Sequence, residues 1–201
     1  WARRMCIRDR IYTSMYFDLG HINLNNLAYV QIISELIASV DTPTMTYQEA
    51  DDIIWQYLGG LNSNVSLIKI NNEYIKRSFK LSFKTINSKA TKAVDLVYDF
   101  INNSLFDNKD RILELLKMKK ASFESSMYDS AHMISLNRAN SHIDKFSYIK
   151  ENISGIDYYL LVSNLIEEIE CDFDSFKEKI EAIYKQILSK DLAINTTSSQ
   201  D

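Results

Sequence analysis

Glycine and proline are nearly absent from this sequence, with four glycines and one proline in 201 residues. Only Gly59 and Gly60 are adjacent. No Gly-rich loop can therefore bring backbone N–H groups around a phosphate, and nucleotide binding of that kind is excluded. The sequence also lacks a G-x-S-x-G elbow and any Cys–His arrangement, the signatures of an activated nucleophile. Cysteine occurs at Cys6 and Cys171 only, too few for a disulfide framework or a thiolate zinc site. Cys171 lies in the acidic run EEIECDFD, which does not favour a thiolate, and reads as structural or incidental. The three histidines, His21, His132 and His142, include no pair on one helical turn. His132 and His142 are ten positions apart, roughly 15 Å along one helix, too far to share an ion.

Two further absences narrow the class. No apolar run approaches the roughly 18 to 20 residues of a membrane span, and no targeting segment is legible, so no membrane partner and a cytoplasmic location are expected. Basic charge is concentrated only in residues 1–10, WARRMCIRDR, which resemble a translated sequencing adapter and are expected to be an artefactual or foreign leader. Setting aside their four Arg and one Asp leaves 19 basic and 26 acidic residues, a formal charge of −7. Phosphate recognition needs a concentrated basic face, so nucleic acid is not an expected partner.

What is present is a composition that folds: 46% hydrophobic, 11% aromatic and 25% charged. This excludes disorder and makes one compact domain the default. Residues 11–19 alternate and predict a strand covered on both sides. Residues 24–40 are apolar at three- and four-residue spacing and predict a buried helix. Thr46 with Glu49 predicts a capping box opening a second helix, closed by Gly59 and Gly60. Strands follow at 65–70 and 75–86, joined as an antiparallel hairpin through the polar residues 71–73.

Ala90, Val94, Val97, Ile101 and Leu105 predict a helix with one apolar stripe. A helical pattern then runs from Asp107 to His142, long for one domain, with a break expected at 125–130. After a polar stretch, helices are expected at 157–170 and 173–188 and a short strand at 192–196. Segregated strands and helices predict an α+β fold: a mainly antiparallel sheet of three or more strands with helices packed on one face.

The carboxylate pairs Asp51/Asp52 and Glu167/Glu168 occupy adjacent helical positions and point apart, so they read as solvated faces. One polar cluster stands out: Ser130, His132, Asn137, Arg138 and Ser141. Arg138 falls on the stripe expected to be buried, where it requires a partner, and a structural polar cluster including His132 and Arg138 is the expectation.

Residues 11–64, and residues 106–143 with their Ser126, Ala131, His132, Arg138 and Ala139 spacing, together resemble the third of four homologous domains in presequence proteases, within the insulinase/pitrilysin family of zinc peptidases. The resemblance covers nearly all of 11–201 and implies a single non-catalytic peptidase-family domain. In that family the first domain holds the zinc motif H-x-x-E-H and the third keeps the fold without it. The matching positions here are Ile32, Ile33, Ser34, Glu35 and Leu36, a degenerate motif with aliphatic residues for both histidines at Ile32 and Leu36 and a remnant acid at Glu35. The resemblance implies no catalytic residue, metal ligand or cofactor in this chain, and zinc in the parent enzyme. It also implies the remaining domains of the parent peptidase as partners, with peptide substrate in an enclosed chamber. The net negative charge biases such a cavity toward basic peptides if that charge lines it. A catalytically inactive scaffold or assembly subunit of the same fold is the alternative.

Overall fold

In the computed structural model the described residues are 9–70 and 74–198. They build a four-stranded sheet with helices on one face. The strands are β1 (Arg10–Asp18), β2 (Leu61–Lys69), β3 (Ile75–Ile86) and β4 (Leu192–Thr197). Their order is β2-β3-β1-β4, and every pairing is antiparallel. The predicted α+β fold is therefore the observed one. Residues 71–73, expected to form the polar turn, lie outside the described residues.

Register follows from the alternation of side chains. Met15 faces Leu81 on one side and Ile194 on the other, and Phe17 faces Phe79, with their rings 5.9 Å apart. A slip of one residue would turn this apolar set to solvent. The opposite face is not covered as expected for β1: Tyr12 is exposed, and Lys80 lies over the half-buried Tyr16 ring. β1 starts inside the stretch expected to be foreign, with Arg10 opposite Ile86 and the Asp9 carbonyl accepting from the Asn87 amide. The remainder of that leader, 1–8, lies outside the described residues.

The helices are α1 (Leu27–Leu36), α2 (Tyr47–Tyr57), α3 (Ala90–Asn103), α4 (Lys109–Ser141), α5 (Lys145–Ser154), α6 (Ile156–Cys171) and α7 (Phe173–Leu188). A 3-10 turn at Leu24–Asn26 leads into α1. α1 ends four residues earlier than its apolar spacing predicts, because Ile37 is extended and Ala38 adopts φ 63°. Ile37, Ala38 and Val40 remain buried without being helical, since apolar spacing reports burial and not backbone hydrogen bonding. The Thr46–Glu49 capping box opens α2 as predicted. On α3 the buried stripe is Ala93, Val97, Phe100 and Ile101, rotated from the predicted one, and Val94 is 57% exposed.

α4 departs from helical geometry at Ser130 (φ −129°, ψ 25°), within the expected break. Only Ile112, Leu113, Leu116 and Ser141 of α4 are buried, so its predicted apolar face does not extend into the core past Leu116. α5 occupies what reads as a polar stretch in the sequence. Asp144 caps it by accepting from the Ser147 amide at 3.1 Å, and Ile149, Glu151 and Ile153 turn inward. The Lys, Glu, Asn and Ser residues of this segment hide a one-sided helix too short for a clear period.

Candidate functional site

β2 is an edge strand. Ile70 N–H bonds to the Tyr74 carbonyl, which sets the parity of the ladder: even-numbered β2 residues pair with β3, and the backbones of Ser63, Val65, Leu67 and Lys69 point to the free edge. Side chains from α1 and β2 itself cap part of that edge. Val65 N–H donates to Gln31 Oε1 at 3.2 Å, and Asn64 Nδ2 donates to the Val65 carbonyl at 3.4 Å. The Gln31 amide is oriented from behind, donating from Nε2 to Glu35 Oε1 at 3.1 Å. The same oxygen pairs with Lys119 Nζ of α4 at 2.6 Å. Capping by side chains is one way an edge strand is kept from pairing with another chain.

Beside this edge lies a cleft of about 530 Å³. Asn64, Val65 and Leu67 form the strand side, Lys119, Ser122, Phe123 and Ser126 come from α4, and Phe146, Lys150, Ile153 and Ser154 come from α5, with Gln31 and Tyr158 completing it. Tyr158 is 2% exposed. Burial first, and then the neighbouring Glu35 carboxylate, push its phenol well above the ordinary range. Its hydroxyl lacks a hydrogen bond of good geometry among the described residues, so Glu35 acts on it chiefly through charge. The lining holds two lysines and no carboxylate, although the chain as a whole is acidic.

The residues singled out in the sequence separate into two groups. Ile32 and Leu36 are 0% and 1% exposed and belong to the hydrophobic core. Glu35, whose side chain is 21% exposed, reaches the cleft side with Gln31, one helical turn before it. Arg138 has its partner: Nη1 donates to Glu151 Oε1 at 3.1 Å and also to Asp157 Oδ1. Glu151 is 3% exposed, and the same oxygen accepts the Ile156 amide at 2.9 Å, which joins α4, α5 and the start of α6. The Asp157 and Glu151 hydrogen bonds raise the Arg138 guanidinium further above its already high range. His132 is exposed and enters none of these contacts. His21 Nε2 lies 3.0 Å from the Gln186 carbonyl. Among the described residues no three His, Cys, Asp or Glu side chains converge as a metal site.

Gln31, Lys119, Lys150 and Tyr158 carried no signal in the sequence, because the cleft is assembled from five separate elements, α1, β2, α4, α5 and α6. A second opening, about 600 Å³, lies on the inner face of the sheet between α3 and β4. Ile11, Met15, Phe83, Val97, Ile101 and Ile194 line it, and Val94, Tyr98 and Ile194 on its rim are 57%, 66% and 58% exposed.

Residues 9–165 match the family described as Peptidase M16 (subfamily C) associated. The chain belongs to that family. This peptidase-associated chain is 27% identical over 160 residues to Protein HypA of Clostridium perfringens, covering 78% of itself and 16% of that protein. It is 19% identical over 184 residues to Presequence protease 1, chloroplastic/mitochondrial, of Arabidopsis thaliana, covering 90% and 17%. With the mitochondrial presequence protease of Candida albicans it shares 20% over 203 residues, covering 95% and 20%. The chain thus spans a fifth or less of the length of these relatives. A crystal structure of a conserved protein from Enterococcus faecalis has the same fold, with a TM-score of 0.64, 12% identity, and coverage of 96% of this chain and 44% of that one. The resemblance drawn from residues 11–64 and 106–143 is borne out: this is a peptidase-associated domain of the insulinase family. No described helix is long and apolar enough to cross a membrane.

Proposed function

We propose that this peptidase-associated domain is a non-catalytic part of a zinc metalloendopeptidase that degrades peptides, and that it helps enclose the substrate chamber through contacts with the remaining domains. Zinc and the groups that activate water belong, on this reading, to another domain of the parent. α1, the helix equivalent to the motif-bearing one in the resemblance, offers Ile32 and Leu36 in place of the two imidazoles and Glu35 in place of the acid. Two aliphatic side chains packed in the core have no lone pair for a metal, and a carboxylate without a metal-bound water has nothing to activate.

The observation that carries the interdomain role is the open apolar face between α3 and β4. Val94, Tyr98 and Ile194 hold large apolar side chains in solvent around a cavity lined by the sheet's inner face. Contiguous apolar surface of this kind marks an interaction site in a soluble protein. The remainder of the parent polypeptide supplies the cover.

The test is to express the rest of the parent polypeptide separately and combine it with this chain. The expected result is co-purification and gain of peptidase activity, both lost with Val94→Asp and Ile194→Asp together. Full activity of the remainder alone would overturn the reading. A full-length parent with neither zinc nor activity would instead make the domain part of an inactive scaffold.

A further inference from the structure

We propose that the cleft beside β2 is a second binding site, one that takes the C-terminal end of an extended peptide with an apolar last residue. The proposal goes beyond the assembly role and stands on the cleft alone.

Charge selects the kind of ligand. Lys119 is already paired with Glu35 at 2.6 Å, but Lys150 makes no ion pair among the described residues. The lining contains no carboxylate to offset it. An anionic group is therefore favoured and a peptide amino terminus disfavoured. Phe123, Phe146 and Ile153 stand in the same lining and provide apolar surface for a side chain next to that anion.

The free edge selects an extended backbone, and the side-chain cap at one end of it selects a chain end. Asn64 and Val65, whose side chains leave β2 on opposite faces, both line the cleft, so the cleft sits at the strand edge. Val65 is capped by Gln31 at one end of the accessible stretch. At the other end Lys69 pairs with Asp144, the N-cap of α5, at 3.2 Å. Beyond the Gln31 cap, Leu67 and Lys69 keep edge-facing backbone that no described side chain caps. A ligand strand pairing there meets the Gln31 cap at Val65 and cannot run on past it, whereas a chain that ends there places its carboxylate among the lysines. A cavity of about 530 Å³ lies within the roughly 300–1,000 Å³ of small-ligand sites.

The test titrates the isotope-labelled 201-residue chain with the tetrapeptide acetyl-Leu-Val-Ser-Phe bearing a free α-carboxylate, read by backbone amide shifts. Three probes accompany it: the C-terminal amide of the same peptide, an amidated peptide ending in Asp, and chain variants Lys150→Ala, Lys150→Arg and Lys190→Ala. The expected result is saturable shifts at Val65 and Leu67, with both amidated peptides about tenfold weaker. Lys150→Ala should weaken the free acid by a similar factor, Lys150→Arg should restore it, and Lys190→Ala should leave it unchanged. Equal binding of the free acid and its amide would overturn the carboxylate assignment. Equal binding of the Asp-ended amide would overturn the choice of a chain end. No shift at Val65 and Leu67, or no loss in Lys150→Ala with its native amide spectrum retained, would overturn the site itself.

Discussion

Glu151 occupies the space that any side chain at position 155 would need: a Cβ on Gly155 would collide with both carboxylate oxygens. The glycine lets α5 end and α6 begin around a carboxylate that is almost wholly buried. Arg138 and the Ile156 amide then satisfy it from two directions.

Gly155→Ala should accordingly push Glu151 out of its site and lower the melting temperature, and so should Arg138→Ala, which leaves the buried carboxylate short of a partner. Because both act on one group, the double variant should be clearly less destabilised than the two single losses added together. Thermal unfolding of all three variants checks this, with Lys117→Ala, an exposed ion-pair residue, as the neutral reference. Strict additivity would detach Gly155 from the Arg138–Glu151 pair.

The N-terminus of α2 should respond to loss of its cap. Thr46 Oγ1 accepts the Glu49 amide and the Glu49 carboxylate accepts the Thr46 amide, the latter at 2.9 Å. Thr46→Ala should cost about 1 kcal/mol of unfolding free energy, measured by urea denaturation, and Thr46→Ser should recover most of it.

Acid should weaken the contact between the loop after α1 and the end of α3. Burial acts to raise the Asp99 carboxyl, but hydrogen bonds from Asn103, Thr44 and Thr42 outweigh it and hold the group below the ordinary carboxylate range. A carboxyl lowered on folding contributes stability above its unfolded value and loses it as pH falls through the folded value. The Asp99→Asn variant should be less stable at neutral pH and should show a shallower loss between about pH 5 and pH 2. Parallel pH profiles would contradict this.

The isolated chain should retain no stoichiometric zinc after dialysis and should cleave no peptide above background. Elemental analysis and a fluorogenic peptide assay measure the two. One zinc per chain would show a ligand set that α1 does not provide, since Ile32 and Leu36 lie in the core.

Ile32→Ala should cost roughly 2–5 kcal/mol, the range for emptying a filled aliphatic site, whereas Glu35→Gln should have its main effect on the Gln31 and Lys119 contacts. Resonances of the Val65 amide, which Gln31 caps, report the second. An unchanged Val65 amide in Glu35→Gln would show that Gln31 holds its place without Glu35.

The legible elements were those whose signal is local and strong. β3 alternates over Phe79, Leu81 and Phe83, α7 carries Phe176, Ile180, Ile183 and Ile187 on one stripe, and both match their expected spans. The misread ones share a cause. Ile37, Ala38 and Val40 are as apolar as a helix interior, but the chain leaves the helix at Ile37. α5 is as polar as a loop but is held by Asp144 and by inward packing of Ile149 and Ile153. The α3 stripe is rotated because Phe100 is buried and Val94 stays out. In each case neighbours in space outweighed spacing in sequence.

The sequence by itself determined the class of the fold, the N-terminal cap of α2, the pairing of its hairpin strands, and the need of Arg138 for a partner. These depend on periodicity and on chemistry within a few residues. The tertiary structure alone decided that the buried partner is Glu151, that β2 is the exposed edge, and that Gln31, Lys119, Lys150 and Tyr158 gather beside it. Those residues lie on separate elements, and only the packing of helices α4 to α6 against the sheet edge brings them within reach of one another.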